Sequence, residues 1–581
     1  MVTMYIDGVK LQVPEGTTIL EAARSVNINI PHLCYLKDVN EIAACRVCCV
    51  EVEGERAMVT ACNTAVREGM MVHTNSPRAR NTRRVNVELI LSQHDCTCAT
   101  CIRSGNCQLQ RIANDLGIIT LPFEQQLPRG ARGKWTTTYP LYHDYNKCIK
   151  CMRCIQICDK VQTLHIWDVS GTGGRTTVDV SDNRVIKDSD CTLCGQCITH
   201  CPVGGLRERD DTGRAFRALA DPNIITVVQV APAVRTAWGE AFGLSREEAT
   251  IERMAATLRR MGFDYVFDTN FSADLTIMEE AAEFGHRLTS GGLTRWPMFT
   301  SCCPAWVRFL KGQFPELTGQ LSTAKSPQQM FGSVTKSWFA QRLGADPKNI
   351  CCISIMPCLA KKAECDLPTM RTENGPDVDL SLTTRELIRM IRADQLNPAD
   401  IAPEKMDSPM GIHSGAGAIF GATGGVMEAA LRTAVYNLTG KNPDPDAFSA
   451  VRTGPGLREA TYEIAGIPVR CAVVSGLGNA RKLVEDLKAG KVHYDFVEVM
   501  ACPGGCVGGG GQPISIDDEE LYGVRGQRLY QLDRENELRF SHENPEIKAL
   551  YAQMLDRPLS EKAEALLHTD HQGWQMPNQM L

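Results

Sequence analysis

The sequence predicts a multidomain α+β protein in which small cysteine-rich domains precede a large two-lobed α/β domain. The chain has 581 residues, enough for three or four domains, one of them the size of a full enzyme domain. Tight groups of cysteines lie at 34–62, 96–107, 148–158 and 191–201. Beyond them, short apolar segments alternate with amphipathic segments, which predicts strands alternating with helices.

Composition excludes several classes of protein. A formal net charge of −6 with mixed signs gives no basic surface for nucleic acid. The longest apolar run, Ile224 to Val230, is far too short to span a membrane, and the N-terminus lacks the charged and apolar regions of an export signal. We therefore expect a cytoplasmic protein. In that reducing compartment, 26 cysteines indicate metal or redox chemistry rather than a disulfide framework.

The first cysteine group predicts a [2Fe–2S] ferredoxin-like domain over residues 1–78. Its spacing, Cys34-x10-Cys45-x2-Cys48-x13-Cys62, is close to the plant-type ferredoxin pattern. An Asp7-Gly8 turn predicts a hairpin over 5–13, and Thr18 with Glu21 predicts a capped helix, as in a β-grasp domain. A structural zinc site is the alternative, although two evenly spaced C-x-x-C pairs would suit zinc better.

The second group lies in a predicted domain over residues 79–138. It reads His94-x3-Cys98-x2-Cys101-x5-Cys107, one imidazole and three thiolates. The spacing alone suits zinc and a [4Fe–4S] cluster equally well. Cys96 lies two residues from His94 and offers a thiolate in its place, so Cys96 is the alternative to His94 as the fourth ligand.

The third and fourth groups form the strongest motif and predict a ferredoxin domain with two [4Fe–4S] clusters over residues 139–215. In the duplicated bacterial run, the fourth cysteine of each repeat binds the other cluster. The predicted ligands are Cys148, Cys151, Cys154 and Cys201 for one cluster, and Cys191, Cys194, Cys197 and Cys158 for the other.

The sequence pattern of residues 216–581 predicts a catalytic domain that consists of two α/β lobes and a C-terminal tail. The apolar segments 225–230, 353–356, 471–475 and 496–500 predict strands, and the capping boxes at 245–248 and 383–386 predict helices. Alternating strands and helices imply parallel sheets, whose ligands bind beyond the carboxyl ends of the strands. A cofactor is therefore expected in the cleft between the lobes.

Three C-terminal segments resemble the signature stretches of the iron-only ([FeFe]) hydrogenases. They are Thr300-Ser-Cys302-Cys303-Pro-Ala-Trp306, Met356-Pro-Cys358-Leu-Ala-Lys361 and Met500-Ala-Cys502-Pro-Gly-Gly-Cys506. The resemblance extends over nearly the whole chain. The one-histidine, three-cysteine module also follows the β-grasp domain in these hydrogenases and in respiratory complex I, which favours a [4Fe–4S] cluster there over zinc.

The resemblance implies an enzyme that catalyses 2H⁺ + 2e⁻ ⇌ H₂ at an H-cluster. In this family a [4Fe–4S] cubane is linked to a two-iron subsite that carries carbon monoxide, cyanide and a dithiolate. The ligands that match are Cys303, Cys358, Cys502 and Cys506, with Cys506 bridging the two parts. One [2Fe–2S] and three accessory [4Fe–4S] clusters would complete an electron path.

The resemblance also assigns roles to further residues. The proton-relay positions match Cys302, Glu280, Ser322, Glu283 and Arg287, and Lys361 matches a donor to cyanide. The positions that line the cofactor match Pro232, Ser326, Gln328, Met356, Phe420 and Met500. Without the resemblance, Lys361 and the two glutamates would be solvated side chains, and the methionines would be ordinary core.

The segment around Pro503 resembles the catalytic subunits of multimeric NAD(P)-linked hydrogenases, which are often electron-bifurcating. No dinucleotide fingerprint is visible, since Gly476-Leu-Gly478 lacks a third glycine. We therefore expect NAD(P)H to bind a flavin-containing partner subunit, with ferredoxin as another redox partner and maturation proteins as further partners. The alternative functions are hydrogen sensing and a non-catalytic electron-transfer or scaffold role.

Overall fold

The computed structural model describes residues 1–127, 135–291, 296–452 and 456–579. The chain forms two compact units. The first contains residues 1–186, 200–207 and 515–519, and the second contains 187–199, 208–514 and 520–581. The predicted ferredoxin range 139–215 is thus divided between the units. Among the described helices, none combines the length and apolar composition that a membrane crossing requires.

The first unit begins with a five-stranded sheet in the order β2-β1-β5-β3-β4. The predicted hairpin is confirmed: β1 and β2 pair around Asp7 and Gly8, whose φ angles of 49° and 84° suit a tight hairpin turn. The strands are β1 (Val2–Ile6), β2 (Val9–Val13), β3 (Cys49–Val52), β4 (Val59–Thr60), β5 (Met70–His73), β6 (Leu141–His143), β7 (Trp167–Ser170), β8 (Thr177–Val180) and β9 (Leu206–Glu208).

The helices of this unit begin at side-chain caps where the sequence offers them. Thr18 accepts from the Glu21 N–H at 3.3 Å, as predicted, but the Glu21 carboxylate accepts from the Tyr35 hydroxyl at 2.9 Å instead of completing the box. Ser76 caps the helix that begins at Pro77. The helices are α1 (Ile19–Ser25), α2 (Pro77–Leu91), α3 (Gln108–Asp115) and α4 (Arg153–Gln156).

The second unit contains two four-stranded sheets, which confirms the predicted pair of α/β lobes. One has the order β11-β10-β13-β16 and is entirely parallel; the other has the order β12-β19-β18-β17, in which only β17 is antiparallel. The strands are β10 (Ile225–Val230), β11 (Tyr265–Asp268), β12 (Met298–Phe299), β13 (Ile350–Met356), β14 (Arg371–Thr372), β15 (Gly375–Pro376), β16 (Leu380–Thr383), β17 (Leu457–Ile464), β18 (Ile467–Ser475) and β19 (Phe496–Met500).

A long buried helix, α8, runs through the second unit and packs against α10, α14 and α15. The capping box at Thr383 forms as predicted, whereas the Ser245 box closes a turn and the helix begins only at Ile251, capped by Thr250. The helices are α5 (Gln196–Thr199), α6 (Thr212–Ala220), α7 (Ile251–Arg260), α8 (Thr269–Thr289), α9 (Pro304–Gln313), α10 (Pro327–Val334), α11 (Ala340–Leu343), α12 (Ala360–Glu364), α13 (Thr384–Ala393), α14 (Gly415–Ala418), α15 (Gly425–Thr439), α16 (Leu477–Lys488), α17 (Tyr522–Glu535), α18 (Pro545–Leu550) and α19 (Glu561–Leu567).

The end of the chain packs on this unit as an added strand. The Thr569 N–H donates to the Thr323 carbonyl and the Lys325 N–H donates to the Leu567 carbonyl, both at 2.8 Å. His571 Nε2 lies 2.8 Å from the Ser322 carbonyl oxygen. The tail therefore fixes the backbone beside Ser322, one of the predicted relay residues.

Candidate functional site

A cavity lies where strands of both lobes end. The loops after β10, β13 and β19 and the loop between β12 and α9 form its walls, and the space free of protein atoms measures about 770 Å³ when the part open to solvent is included. This position agrees with the rule that ligands bind beyond the carboxyl ends of parallel strands. The cavity is lined almost entirely by apolar atoms, apart from a few sulfur, amide and ammonium groups.

Four cysteines from three separate loops reach this cavity: Cys303, Cys358, Cys502 and Cys506. Burial raises the pKa of each thiol, and their mutual proximity raises the pKa of Cys502 further. Four such thiols can ionise together only if a cation neutralises them. The donor set therefore fits an iron–sulfur cubane, and the cavity beside it leaves room for a further group.

Glycines allow these loops to approach one another backbone to backbone. Gly505 has a φ of 93°, and a Cβ there would lie 2.7 Å from the Thr423 nitrogen. A Cβ at Gly509 would lie 2.1 Å from the Pro357 carbonyl oxygen. Both positions require glycine, and this requirement explains the glycine-rich segment around Cys506.

Lys361 enters the cavity from the first turn of α12. Its Nζ lies 3.1 Å from the Cys302 carbonyl oxygen and 3.0 Å from Glu364 Oε2. Burial lowers the pKa of the Lys361 ammonium, but the attraction of the Glu364 carboxylate is larger than this effect and leaves the pKa raised. A buried, charged ammonium with donors directed into a cavity suits an anionic ligand.

Five of the six predicted lining residues lie in the cavity wall: Pro232, Gln328, Met356, Phe420 and Met500. Ser326 does not. Its hydroxyl donates to Glu364 Oε2 at 2.8 Å, and it lines a smaller neighbouring cavity instead. Ser326 therefore reaches the site only through Glu364, which also holds Lys361.

The predicted proton-relay residues lie together along α8 and the strand-like segment after Leu321. Ser322 Oγ donates to Glu283 Oε2 at 2.7 Å, and Arg287 donates to Glu283 Oε1 at 2.6 Å. Cys302 lines the cavity. Burial raises the pKa of the Cys302 thiol, and the nearby Glu280 carboxylate raises it further. Cys302 is thus the relay residue at the cavity, and Ser322, Glu283 and Arg287 form a hydrogen-bonded series outside its lining.

Glu280 is the most perturbed carboxyl of this series. It is completely buried, and neither oxygen has a hydrogen bond of good geometry within the described residues. Burial, followed by repulsion from Glu283 and Glu498, raises its pKa to about 8, and the nearby Ser322 hydroxyl opposes this only in part. Such a group exchanges protons near neutral pH, as a relay requires.

The predicted [2Fe–2S] ligands Cys34, Cys45, Cys48 and Cys62 lie together in the first unit. All four are buried, and their thiols are within hydrogen-bonding distance of one another in a chain from Cys45 through Cys34 and Cys62 to Cys48. Cys49 lies outside this chain, beside Arg46 and Arg83. One compact set of four thiols can hold a [2Fe–2S] cluster, as the spacing predicts.

The ferredoxin motifs form loops of unusual backbone conformation. Lys150 and Met152 have φ angles of 57° and 62°, and Leu193 and Gly195 occupy the equivalent positions with 59° and 74°. Left-handed residues that alternate in this way turn backbone N–H groups inward and form concave anion sites, of which iron–sulfur sites are examples. The repeated strain therefore fits cluster binding in both motifs.

Three ligands of the first predicted ferredoxin cluster, Cys148, Cys151 and Cys201, lie close together in the first unit. Burial raises the pKa of Cys148 and of Cys151, and the nearby Cys201 thiolate raises both further. Cys191, Cys194 and Cys197 belong to the second unit, whereas Cys158 belongs to the first. The predicted exchange of the fourth ligand at that cluster stays a prediction.

One ferredoxin loop touches the cavity cysteines within the second unit. Cys502 Sγ lies 3.7 Å from the Cys194 carbonyl oxygen, and Gln196 donates to the Gly508 carbonyl at 2.9 Å. Cys194 also raises the pKa of Cys502. A cluster on the 191–197 loop would therefore lie next to a cluster on the cavity cysteines, because the two ligand loops are in direct contact.

His94 is buried in the first unit, and its Nδ1 has no hydrogen-bond partner within the described residues. Burial lowers its pKa to about 4, so the imidazole stays neutral and able to bind a metal. Cys96, the competing ligand, is exposed, and its Sγ lies 3.4 Å from the His94 carbonyl oxygen. An unpaired buried nitrogen fits the ligand role of His94.

Sequence reasoning missed two carboxylates at this site. Glu364 receives hydrogen bonds from Lys361, Ser326 and Gln328, and its signal was its place three residues after Lys361 on one helix face. Glu498 is buried in β19 and accepts from the Gly424 and Met427 N–H groups, each at 2.7 Å. No local pattern marks Glu498, because its partners lie at the start of a distant helix.

The fold and the cavity define an iron–sulfur oxidoreductase. Residues 224–510 match the family described as iron only hydrogenase large subunit, C-terminal domain, and residues 519–574 match iron hydrogenase small subunit. Residues 1–77 match a 2Fe-2S iron-sulfur cluster binding domain, 83–120 the NADH-ubiquinone oxidoreductase-G iron-sulfur binding region, and 147–205 a 4Fe-4S dicluster domain.

Two relatives align with nearly the whole chain. NADP-reducing hydrogenase subunit HndD of Solidesulfovibrio fructosivorans is 44% identical over 98% of this chain and 99% of its own length. Iron hydrogenase 1 of Clostridium pasteurianum is 38% identical with the same coverage. An apo [FeFe]-hydrogenase HydA1 structure from Chlamydomonas reinhardtii is 41% identical, with a TM-score of 0.57 over 63% of this chain and 99% of that chain.

The chain therefore belongs to the iron-only hydrogenase family. It is an [FeFe]-hydrogenase, as the three signature segments predicted, with accessory iron–sulfur domains, as the N-terminal cysteine groups predicted.

Proposed function

We propose that this chain is the catalytic subunit of an NAD(P)-linked hydrogenase complex of the type that includes electron-bifurcating enzymes. The observation that carries the proposal is the full-length similarity to a subunit of an NADP-reducing hydrogenase. The chain itself shows no dinucleotide fingerprint, so the nucleotide would bind a flavin-containing partner subunit. Ferredoxin would be the alternative or second redox partner.

The proposed cofactors are one [2Fe–2S] cluster, three accessory [4Fe–4S] clusters and the H-cluster. Cys303, Cys358, Cys502 and Cys506 would hold the cubane of the H-cluster, and the rest of the cavity would receive its two-iron subsite. That subsite would supply the metal position at which protons and electrons combine. The contact between Cys194 and Cys502 supports electron delivery from the 191–197 loop.

The residues of this chain would then control protons and water. Cys302 would hold the proton nearest the reacting position, and Glu280 would exchange it, since its pKa of about 8 lies near neutral pH. Ser322 and Glu283 would carry it on toward Arg287. Lys361 would donate to an anionic ligand in the cavity, and the apolar walls would exclude bulk water.

Three side chains argue against the scaffold alternative. A non-catalytic relative would be expected to have lost Cys302, Lys361 or Cys506, yet all three line the same cavity.

The partner proposal is tested by reconstitution. The matured chain alone should oxidise H₂ with methyl viologen but should not reduce NADP⁺ or NAD⁺. Nucleotide reduction should return when the subunits that copurify with the tagged chain from its host are added. Nucleotide reduction by the isolated chain, or recovery of the chain without any flavin-containing subunit, would contradict the proposal.

A further inference from the structure

A single buried side chain joins two of the predicted cluster loops in the first unit. Asn40 Nδ2 donates to the Cys34 carbonyl at 2.7 Å and to the Cys151 carbonyl at 2.9 Å. Cys34 belongs to the predicted [2Fe–2S] site, and Cys151 belongs to the first ferredoxin site. The Asn40 amide thus fixes the distance between a ligand residue of one cluster and a ligand residue of the other.

Arg153 lies beside the same two loops. Its side chain has no exposure, and its guanidinium makes two parallel hydrogen bonds of 2.8 Å to the Asp518 carboxylate. It also donates to the Tyr35 carbonyl at 2.9 Å and to the His200 carbonyl at 3.4 Å. Tyr35 follows the ligand Cys34, and His200 precedes the ligand Cys201, so this guanidinium contacts both ligand loops.

Asp518 comes from a short segment, residues 515–519, that packs with the N-terminal domains. Burial opposes its ionisation, but the His32 ring and the Arg153 guanidinium outweigh burial and keep its pKa below the usual range. The His32 ring lies 3.6 Å from its carboxylate. Both members of the Arg153–Asp518 pair are therefore charged at neutral pH.

We propose that Arg153 and Asp518 form a charge pair in which each member offsets the effect of the other on the reduction potentials of the two clusters on either side of it, while Asn40 holds the two ligand loops in place. The clusters are those of Cys34, Cys45, Cys48 and Cys62 and of Cys148, Cys151, Cys154 and Cys201, so the inference rests on the proposed cofactor assignment. The three side chains are positioning residues, because they contact the ligand loops and not the reacting atoms.

The physical argument depends on the sign of each charge. A cluster becomes more negative when it accepts an electron, so a nearby cation favours reduction and a nearby anion opposes it. In the intact pair the two effects largely cancel. Loss of either partner leaves the other charge uncompensated in a buried, weakly screened position.

The test is a redox titration of the full chain, followed by electron paramagnetic resonance of the reduced clusters. Asp518→Asn should raise both potentials and Arg153→Met should lower both. We expect each change to be at least tenfold in the ratio of reduced to oxidised cluster at a fixed potential, which is about 59 mV for one electron. The measurement uses only the accessory clusters and needs no two-iron subsite.

Three further variants separate charge from damage to the fold. Arg153→Lys keeps the charge and should stay within about twofold of the wild type, and the double variant with Asp518→Asn and Arg153→Met should return toward it. Asp517→Asn removes a neighbouring carboxylate that is 61% exposed and paired with Arg111, and it should leave both potentials unchanged.

Opposite shifts at both clusters, restored in the double variant, would support the inference. Shifts of the same sign in the two single variants, a shift at one cluster only, or no shift would overturn it. Failure of the cofactor assignment can be distinguished from failure of the charge-pair inference, because the wild-type chain would then show no [2Fe–2S] signal on reduction. Loss of clusters in both single variants but not in Arg153→Lys would overturn the inference in favour of a purely structural pair.

Discussion

Replacement of Glu280 by glutamine tests the relay at its most perturbed group. The carboxyl and the amide have nearly the same shape, but the amide cannot release and accept a proton near neutral pH. General acid–base groups contribute about 10²–10⁴-fold to rate. We therefore expect hydrogen evolution by Glu280→Gln to fall by that factor, while the spectra of all the clusters stay as in the wild type.

The same substitution has a predicted effect on stability. Burial raises the pKa of Glu280 from 4.5 to about 8, and each pKa unit corresponds to about 1.4 kcal/mol. Between these pH values the folded chain retains a proton that the unfolded chain has lost, so the folded state is progressively destabilised as pH rises. The difference in free energy of unfolding, Glu280→Gln minus wild type, should grow by about 5 kcal/mol from pH 4.5 to pH 8 and then level off.

Glu279→Gln is the matched control. Glu279 is equally buried and adjacent on α8, but it accepts from the Tyr551 hydroxyl and the Leu559 N–H rather than facing the relay. Its replacement should lower the unfolding temperature and leave hydrogen evolution within about twofold. If Glu280→Gln retained full activity, the relay would be wrong. If the stability difference did not change with pH, the pKa argument would be wrong.

Three further outcomes are expected. Glu364→Gln should leave the Lys361 ammonium buried without its charge partner and lower the free energy of unfolding of the apoprotein by about 3–5 kcal/mol in denaturant titrations. Ser326→Ala loses only one hydrogen bond and should lower the free energy of unfolding by about 1 kcal/mol. Equal effects of the two substitutions would contradict the pairing of Glu364 with Lys361. His94→Ala should remove about four iron atoms per chain in iron analysis and Cys96→Ser none, and the reverse result would make Cys96 the ligand. Gly505→Ala should lower cluster content at the cavity in Mössbauer spectra, because its Cβ would meet the Thr423 nitrogen at 2.7 Å; unchanged content would show that the loop can relax.

Local patterns in the sequence predicted most of the fold that positions the site. The strands at 225–230 and 496–500 occur with the predicted bounds, and the cysteine spacing placed Cys34, Cys45, Cys48 and Cys62 in one compact set. These features depend on neighbours in the chain, such as turn residues, caps and ligand spacing. The relay residues came from resemblance to a family, because two glutamates on a helix face predict only a solvated surface.

Long-range contacts were not predictable in this way. The pairing of Thr569 with Thr323, the packing of segment 515–519 with the N-terminal domains, and the Asn40 bridge each join residues that are distant in the chain. Neither periodicity nor composition contains that information. The later start of the helix at Ile251 has a local cause, since Thr250 accepts from the Arg253 N–H and competes with Ser245 as a cap.

The most direct test of the central claim joins infrared spectroscopy to hydrogen evolution. The chain is matured anaerobically, and bands of carbon monoxide and cyanide are recorded together with activity from reduced methyl viologen, for the wild type and for Cys302→Ala. We predict bands in both proteins and activity only in the wild type. Full activity in Cys302→Ala, or iron–sulfur signals without bands or activity despite proven maturation, would contradict the assignment of this cavity as a hydrogenase site with Cys302 on its proton path.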